Sequence, residues 1–276
     1  MNKVFLMSKK FEKHIEVKES QTTLACLSEN TELSKQLLKK VMQNGAVWLE
    51  SKYGINRVRR AKKIVDEGEL LHIYYDALIH EVAPPEAQLI SDEVEYSIWN
   101  KPSGMYSQGT KWGDNCTVYR WAEQHLLPQR PAFIVHRLDR AANGLIILAH
   151  KKKIAAKFSK MFELHEINKM YKAVVEGLFE EIMLPHEINN ELDGKIAISE
   201  ILTLSRENNK QQTVVEIKIK TGRKHQIRRH LSGMGYPIVG DRLYGSKNTD
   251  LNLQLSSVEL EFMCPVRSER VKYNIK

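Results

Sequence analysis

Cysteine is scarce in this chain of 276 residues, and the three that occur, Cys26, Cys116 and Cys264, lie far apart. Their number is odd, and no two of them show the Cys-x-x-Cys spacing. This pattern argues against a disulfide framework and against a zinc cluster. We therefore expect reduced thiols in a cytoplasmic protein.

Long apolar runs are missing as well. No stretch approaches the roughly 18 apolar residues that a membrane helix needs, and the run from Val4 to Met7 is too short for a signal peptide because Lys9 and Lys10 follow it at once. Glycine-rich phosphate loops and metal-ligand spacings are also absent from the sequence. The sequence thus predicts no membrane attachment and gives no sign of a cofactor or a metal.

Positive charge is what the chain has in excess. Lysine and arginine number 42 against 34 acidic residues, which gives a formal net charge of +8. Hydrophobic residues make up 42% and charged residues 28%, as is ordinary for a soluble globular protein. The length suits one sizeable domain and a smaller one. The charge suits a polyanionic partner, because lysine and arginine displace counterions from phosphate backbones, although a merely basic cytosolic protein would show the same balance.

The most informative segment is His136 to Arg140, in which Asp139 lies between Arg137 and Arg140 after an apolar run. We expect the carboxylate at a strand end in a positive pocket that favours its charged form. An ionised carboxylate held in this way can act as a nucleophile, and the arginines can bind phosphate. The alternative is a buried arginine–aspartate pair that only fixes a turn.

A second basic segment begins at Thr221, after an alternating run typical of a half-buried strand. The pattern predicts a turn at Thr221 and Gly222 and then a helix over 223–234, with apolar residues four and three positions apart on one side. Arg228 lies off that apolar stripe. By itself, such a helix would most often be a surface element with solvated charges.

Five ordered segments resemble the RluA family of pseudouridine synthases. They are Asn100 to Gly104, the active-site stretch His136 to Gly144 with the apolar run after it, Lys169 to Gly177, Thr221 to Arg228, and Gly235 to Gly245. The resemblance implies an α+β catalytic domain over 90–276, built on a mixed, mostly antiparallel central sheet with flanking helices. A helix over 151–164 is expected to be one of these, since its apolar residues share a face.

The resemblance also implies roles for single residues. Asp139 would be the catalytic residue, Arg228 would pair with it, and Tyr171 would lie against the target uracil, although a tyrosine on an alternating strand is usually a core residue. Arg137 would fill the gap that a flipped base leaves. The residues expected to bind RNA in this domain are Arg137, His136, Arg140, Arg223 and Lys169.

The reaction implied is the isomerisation of uridine to pseudouridine in RNA, with no cofactor and no metal. The chain departs from the family pattern at Ala141 to Asn143, which leaves the local turn bonding open. One alternative is an RNA-binding or assembly factor that has lost catalysis. Another is a hydrolase with Asp139 as nucleophile, although no histidine stands out as its base, since His136 and His225 have better structural explanations.

The N-terminal region over 1–80 is predicted to be a small α+β RNA-binding domain, with a strand-like leader over 1–20 and two short helices over 22–27 and 33–42. Its element order resembles the RNA-binding module of ribosomal protein S-four. Residues 81–89, with Pro84 and Pro85, are the predicted linker. The densest basic cluster of the chain is expected to contact phosphate, although a solvated charge run is the commoner outcome; its members expected to bind RNA are Arg57, Arg59, Arg60, Lys62 and Lys63.

The substrate remains open between ribosomal and transfer RNA. An attached RNA-binding module favours large-subunit ribosomal RNA. We expect a monomer with RNA as its partner and with no obligate protein partner.

Overall fold

The computed structural model describes residues 10–247 and 250–275, and the chain divides into two units. The first unit contains the chain up to Pro84 together with 108–121, and the second contains 85–107 and the chain from Ala122 onward. Residues 1–9 of the predicted leader lie outside the described residues. Its remainder contains the first strand, β1 (Lys10–Glu16).

The first unit is a small α+β fold. In a four-stranded antiparallel sheet the order is β1-β6-β3-β4, and β2 and β5 form a second, two-stranded sheet. After β1 the elements are β2 (Gln21–Thr22), α1 (Thr23–Asn30), α2 (Lys35–Gln43), β3 (Val47–Ser51), β4 (Gly54–Arg57), β5 (Ile64–Val65), β6 (Leu70–Asp76) and α3 (Ala77–Glu81).

The first two helices of this unit, α1 and α2, begin where side-chain caps are available. The Thr22 hydroxyl accepts a hydrogen bond from the Ala25 amide, and the Ser34 hydroxyl accepts one from the Leu37 amide. Apolar residues of α2 then belong to one buried core with residues of β6. The helices predicted over 22–27 and 33–42 are therefore observed, with slightly later bounds.

Residues 108–121 belong to the first unit, which the sequence did not predict. Asp114 is buried and receives bonds from Arg57, Arg59 and Tyr119. Lys111 adds an ion pair to Glu12 at 2.7 Å. The division after Pro84 falls inside the predicted linker over 81–89, and α3 extends into its first residue.

The second unit is built on the large sheet. Its elements in chain order are β7 (Gln88–Asp92), β8 (Tyr96–Lys101), α4 (Val118–His125), which begins in 108–121, β9 (Phe133–Ile134), β10 (Asn143–Ala149), α5 (Lys152–Glu163), β11 (Asn168–Glu176), β12 (His186–Leu192), β13 (Lys195–Glu207), β14 (Gln212–Ile219), α6 (Gln226–Gly233), β15 (Leu255–Met263) and β16 (Arg270–Asn274).

The large sheet is mixed and mostly antiparallel. Its order is β12-β13-β14-β11-β15-β10-β8-β7, with β16 beside β15 and β9 beside β10. Only β10 and β15 run parallel among the strand pairs of the described residues, through the pairs Asn143–Ser256 and Gly144–Ser257. One core of the unit joins residues of β10 to Ile154, Phe158 and Met161 of α5. The predicted α+β fold class is confirmed. No helix within 10–247 or 250–275 is long and apolar enough to cross a membrane.

Candidate active site

Asp139 lies in the loop between β9 and β10, five residues beyond the end of β9 and not at the strand end itself. The loop is held from a neighbouring segment. The Ser107 hydroxyl donates to the Leu138 carbonyl at 2.8 Å and accepts from the Leu138 amide at 3.0 Å. The Gly104 amide donates to the Arg140 carbonyl at 2.8 Å. The backbone on each side of Asp139 is therefore fixed.

Lys101 completes this support from the end of β8. Its side chain is fully buried, and Nζ donates to the carbonyls of Pro102, Met105 and Ala142 at 3.0, 2.9 and 2.6 Å. Burial lowers the pKa of Lys101 to about 7, although the charge of Asp139 works against that shift. Lys101 ties the turn after β8 to the loop that presents Asp139.

The departure at 141–143 is compensated locally. The Ser103 hydroxyl donates to the Ala141 carbonyl at 2.7 Å, and the Ser256 hydroxyl donates to Asn143 Oδ1 at 2.8 Å. Asn143 thus bonds across the parallel strand pair. The turn bonding that the sequence left open is supplied by these two serines.

Arg228 on α6 is the main partner of Asp139. It is buried, and its Nη1 donates to Asp139 Oδ2 at 3.2 Å. Its Nε and Nη2 donate to the two oxygens of buried Asp241, both at 2.7 Å. The guanidinium also lies over the Tyr244 ring, 5.1 Å from its centroid. Three of the five donors of the arginine therefore fix its orientation toward Asp139.

Arg228 and Asp241 each keep the other in its charged form. Burial alone would raise the pKa of Asp241, but the bonds from Arg228 and from the Leu243 and Tyr244 amides outweigh burial and lower it. Burial would likewise lower the pKa of Arg228, but Asp241 and Asp139 outweigh it and raise the value. Asp241 is a positioning residue that sequence reasoning missed. Asp241 could have been found from the sequence, because it lies in the Gly235 to Gly245 segment that resembles the family.

His225 stands on the other side of Asp139. Its Nε2 lies 3.8 Å from Asp139 Oδ1, and its Nδ1 lies 2.9 Å from the Tyr244 hydroxyl. The residue precedes α6 with a φ of +54°, in the left-handed region that histidine adopts more readily than most residues. The sequence assigned His225 a structural role, and its proximity to Asp139 was not predicted.

Asp139, His225 and Arg228 line one cleft of about 300 Å³. Both charged and apolar side chains contribute to its walls, as is usual for a ligand pocket. The other lining residues are Ser103, Arg140, Ala141, Gly240, Arg242, Leu243, Leu251, Asn252 and Leu253.

Tyr171 lies on β11 and is 8% exposed. Burial raises the pKa of its hydroxyl, and the charge of Asp139 raises it further. The phenol is therefore neutral and close enough to Asp139 to sense its charge. Tyr171 is not among the residues that line the cleft, so its contact with a uracil stays a prediction.

The residues expected to bind RNA in this unit fall into two groups. Arg137 is exposed and makes no side-chain bond with any described residue, and Arg140 is exposed with its guanidinium over Tyr106. Arg223 is partly exposed, and its Nε donates to the Ile196 carbonyl at 2.9 Å. These positions suit an RNA contact.

His136 and Lys169 are placed differently. His136 Nε2 accepts the Ile147 amide at 2.9 Å, and the ring stacks on Phe162. Burial lowers the pKa of His136 to about 3. Lys169 is 7% exposed, and burial lowers its pKa. Both side chains support the loop and the sheet from inside, so the geometry does not favour the predicted contacts with RNA.

The basic cluster of the first unit also falls into two groups, one bonded within the unit and one exposed. Arg57 Nη1 lies 3.0 Å from Asp114 and donates to the Gly45 carbonyl, and Arg59 is bonded to the same carboxylate. Arg60, Lys62 and Lys63 are exposed and bond through their side chains to no described residue. The first two arginines are structural within the unit, and the other three cations are free to meet phosphate. Within the described ranges, no group of three or more histidine, cysteine or acidic side chains could hold a metal ion.

The chain is similar to known proteins over most of its length. A family model described as RNA pseudouridylate synthase matches 95–233. An uncharacterized RNA pseudouridine synthase of Aquifex aeolicus is 27% identical, over 89% of this chain and 86% of its own. A tRNA pseudouridine synthase C of Vibrio parahaemolyticus is 31% identical, over 69% of this chain and 90% of its own. The dual-specificity RNA pseudouridine synthase RluA of Haemophilus influenzae is 30% identical, over 70% and 94%.

A solved structure shows the same fold. The human RNA pseudouridylate synthase domain containing 1 aligns with a TM-score of 0.57 at 20% identity, over 69% of this chain and 83% of that one. The family model covers half of the chain and includes Asp139, Tyr171 and Arg228. The chain therefore belongs to the RluA family of RNA pseudouridine synthases, which are isomerases that act on RNA.

Proposed function

We propose that this protein converts specific uridines of large-subunit ribosomal RNA to pseudouridine, with Asp139 as the catalytic residue. The observation that carries the assignment of Asp139 is its carboxylate at a cleft, with Oδ2 held by Arg228 and Oδ1 left without a hydrogen bond from any described residue. A charged carboxylate with one engaged oxygen and one available oxygen is suited to act on a bound ribose.

The chemistry conserves every atom of the nucleotide. The bond from ribose C1′ to uracil N1 breaks, the uracil turns, and a bond from C1′ to C5 forms; C5 loses a proton and N1 gains one. Asp139 acts at the ribose, either by adding to C1′ or by taking the neighbouring proton from C2′. Both routes need the carboxylate in a fixed position, which Arg228 and Asp241 provide.

RNA must expose the uridine before this reaction can begin. A base leaves its stack at a cost of a few kcal/mol, and a planar group in the vacated place reduces that cost. Arg137 is exposed beside Asp139, and a guanidinium plane can stack on bases. In this proposal Arg137 occupies the gap, and Tyr171 supports the flipped uracil from the sheet.

The choice of ribosomal RNA rests on the first unit. The relative named for transfer RNA leaves nearly a third of this chain unmatched, since its match covers 69%. Arg60, Lys62 and Lys63 offer free cations on the first unit, and such cations position RNA without choosing its sequence. A cytoplasmic location completes the proposal and rests on the scattered cysteines.

The test is a map of pseudouridines by carbodiimide-dependent reverse-transcription stops, in total RNA from cells with and without the gene. The proposal expects one or a few stops in large-subunit ribosomal RNA to vanish. Purified wild-type protein should restore them in vitro, and Asp139→Ala should not, while still binding the RNA. Normal activity of Asp139→Ala would overturn the catalytic assignment.

Transfer RNA is the second candidate, favoured by the names of several relatives. A lost stop in transfer RNA, restored by wild-type protein, would select this candidate and overturn the ribosomal one. An unchanged map together with inactive purified protein would instead favour an RNA-binding factor without catalysis.

A further inference from the structure

The two oxygens of Asp139 face different groups. Oδ2 accepts from Arg228, whereas Oδ1 faces His225 Nε2 at 3.8 Å. This distance is an electrostatic contact and is too long for a hydrogen bond. Catalytic contacts are often long in the free enzyme and tighten when substrate binds. The imidazole is therefore beside the oxygen that is available for the reaction.

The other ring nitrogen of His225 is fixed by Tyr244. Nδ1 lies 2.9 Å from the Tyr244 hydroxyl, and the two rings meet edge to face. Tyr244 is itself held under the Arg228 guanidinium. With the Nδ1 proton donated to the Tyr244 oxygen, the lone pair of Nε2 is directed toward Asp139. The geometry thus permits a neutral imidazole that can accept a proton from Asp139.

The isomerisation removes a proton from C5 of the uracil, and a base must accept it. A proton taken from C2′ must return to C2′, whereas the proton at C5 leaves the nucleotide. A carboxylate that takes the C5 proton becomes a neutral acid, and it must lose that proton before the next turnover. Among the described residues that line the cleft, His225 is the only neutral nitrogen base. Arg228 stays protonated and cannot accept.

We propose that His225, held by Tyr244, is a positioning residue that acts through Asp139 and accepts the proton that the carboxylate collects. In the step, the O–H bond of the Asp139 acid breaks and an N–H bond forms at Nε2, which leaves an ionised Asp139 and an imidazolium. The imidazolium then releases a proton to water, and uracil N1 takes one from water, so the isomerisation remains balanced. The inference deepens the proposed function, since it concerns the same reaction at the same carboxylate.

Burial, more than the charges nearby, keeps His225 neutral near pH 7. Burial lowers its pKa below the usual range, with Arg228 and Lys224 acting in the same direction. Asp139 and Asp241 act in the opposite direction but do not outweigh burial. Activity should therefore fall as the imidazole becomes charged, at a pH below the ordinary histidine pKa of about 6.5.

The test compares wild-type protein with His225→Asn and Tyr244→Phe on a transcribed RNA that contains the target uridine. Asparagine tolerates the left-handed backbone of this position but cannot accept a proton. We expect His225→Asn to lower kcat about 100-fold, as is typical for loss of a general base, with little change in KM and without the acidic limb of the pH profile. Tyr244→Phe keeps the ring under Arg228 and should give a smaller fall.

His225→Gly provides the control for a structural effect, because glycine also accepts this backbone conformation. Added imidazole should restore much of its activity and none of that of Asp139→Ala. A fall in kcat with an unchanged acidic limb and no rescue would assign His225 a structural role and overturn the inference, as would wild-type activity of His225→Asn.

A measurement without substrate separates this inference from the proposed function. Nitrogen-15 NMR of the histidine rings should show His225 with its proton on Nδ1 in wild-type protein, and a mixture of both forms in Tyr244→Phe. That result together with no turnover of any RNA would count against the proposed function alone. A proton found on Nε2 in the wild-type protein would overturn the relay, whatever the activity.

Discussion

Arg228 and Asp241 form a buried pair in which both guanidinium–carboxylate bonds measure 2.7 Å, and the third arm of the arginine reaches Asp139 at 3.2 Å. One side chain thus connects a structural carboxylate to the carboxylate that we propose to be catalytic. The planar fork of arginine makes this possible, because it donates in several fixed directions at once.

The first prediction concerns Arg228→Lys. A lysine is a point charge and cannot bond to both carboxylates in this geometry. A misplacement of about 1 Å can cost about 100-fold in rate, so we expect kcat/KM to fall by at least that factor. Single-turnover assays on RNA that contains the target uridine measure this fall in rate.

Arg229→Lys is the matched control. Arg229 is the next residue and pairs at 2.8 Å with exposed Asp193, so the exchange should leave both activity and stability almost unchanged. Equal losses in the two variants would show that any change on α6 is harmful and would remove the special role of Arg228.

Local patterns predicted those parts of the protein that depend on nearby residues. The helices predicted over 33–42 and 151–164 are observed as α2 and α5, since apolar periodicity is a property of one segment. The helix predicted from 223 begins at Gln226. The preceding residues form a turn in which Gln226 Oε1 accepts from the Thr221 hydroxyl and the Arg223 amide.

Long-range partners were beyond local reasoning. The density of basic residues at 57–63 predicted phosphate contacts, but it could not show that Asp114, 55 residues after Arg59, would neutralise two of them. Two further contacts also join separate parts of the chain. Lys101 donates to the Ala142 carbonyl in the loop of Asp139, and Arg228 donates to Asp241. The motifs named the candidate residues, and the tertiary structure was needed to show which contacts they make.

The second prediction concerns Gly144 at the start of β10. Its φ is +112°, and an added Cβ would lie 2.3 Å from the Ser257 carbonyl oxygen across the parallel strand pair. Gly144→Ala should therefore force the strands apart and destabilise the protein by several kcal/mol, about 3 or more given both the strain and the clash. Urea unfolding measures the loss.

Gly222→Ala is the control for this change. Gly222 has no atom within 4 Å of an added Cβ and has no positive φ, so the variant should differ from wild type by about 0.5 kcal/mol at most. A Gly144→Ala protein as stable as Gly222→Ala would contradict the close approach of β10 and β15.

The third prediction is a pH dependence of stability from His136. Burial holds the pKa of this histidine at about 3, far below the value of about 6.5 in an unfolded chain. Between these two values the unfolded state binds more protons, so stability is complete above pH 6.5 and falls as the pH drops toward 3. The slope contributed by one group is at most about 1.4 kcal/mol per pH unit.

Urea unfolding at several pH values tests this dependence against His136→Gln. Glutamine can still accept the Ile147 amide but does not titrate, so its curve should be flatter between pH 6.5 and 4. Parallel curves for the two proteins would mean that His136 is accessible to protons in the folded state, contrary to the burial described above.

The fourth prediction separates the two halves of the basic cluster in the first unit. Arg60, Lys62 and Lys63 have free side chains, whereas Arg57 and Arg59 neutralise buried Asp114. The triple variant Arg60→Ala, Lys62→Ala and Lys63→Ala should bind RNA more weakly at an unchanged Tm. The slope of log Kd against log salt should fall by about 2, as expected for three lost phosphate contacts.

The double variant Arg57→Ala and Arg59→Ala should behave in the opposite way. It leaves the carboxylate of Asp114 buried without its cations, a change that typically costs about 3–5 kcal/mol, so Tm should fall sharply. Affinity measured below the new Tm should keep the wild-type salt slope. A steep slope that disappears with Arg57 and Arg59, but survives loss of the other three, would mean that RNA displaces Asp114 from these arginines. The structural role assigned to the pair would then be wrong.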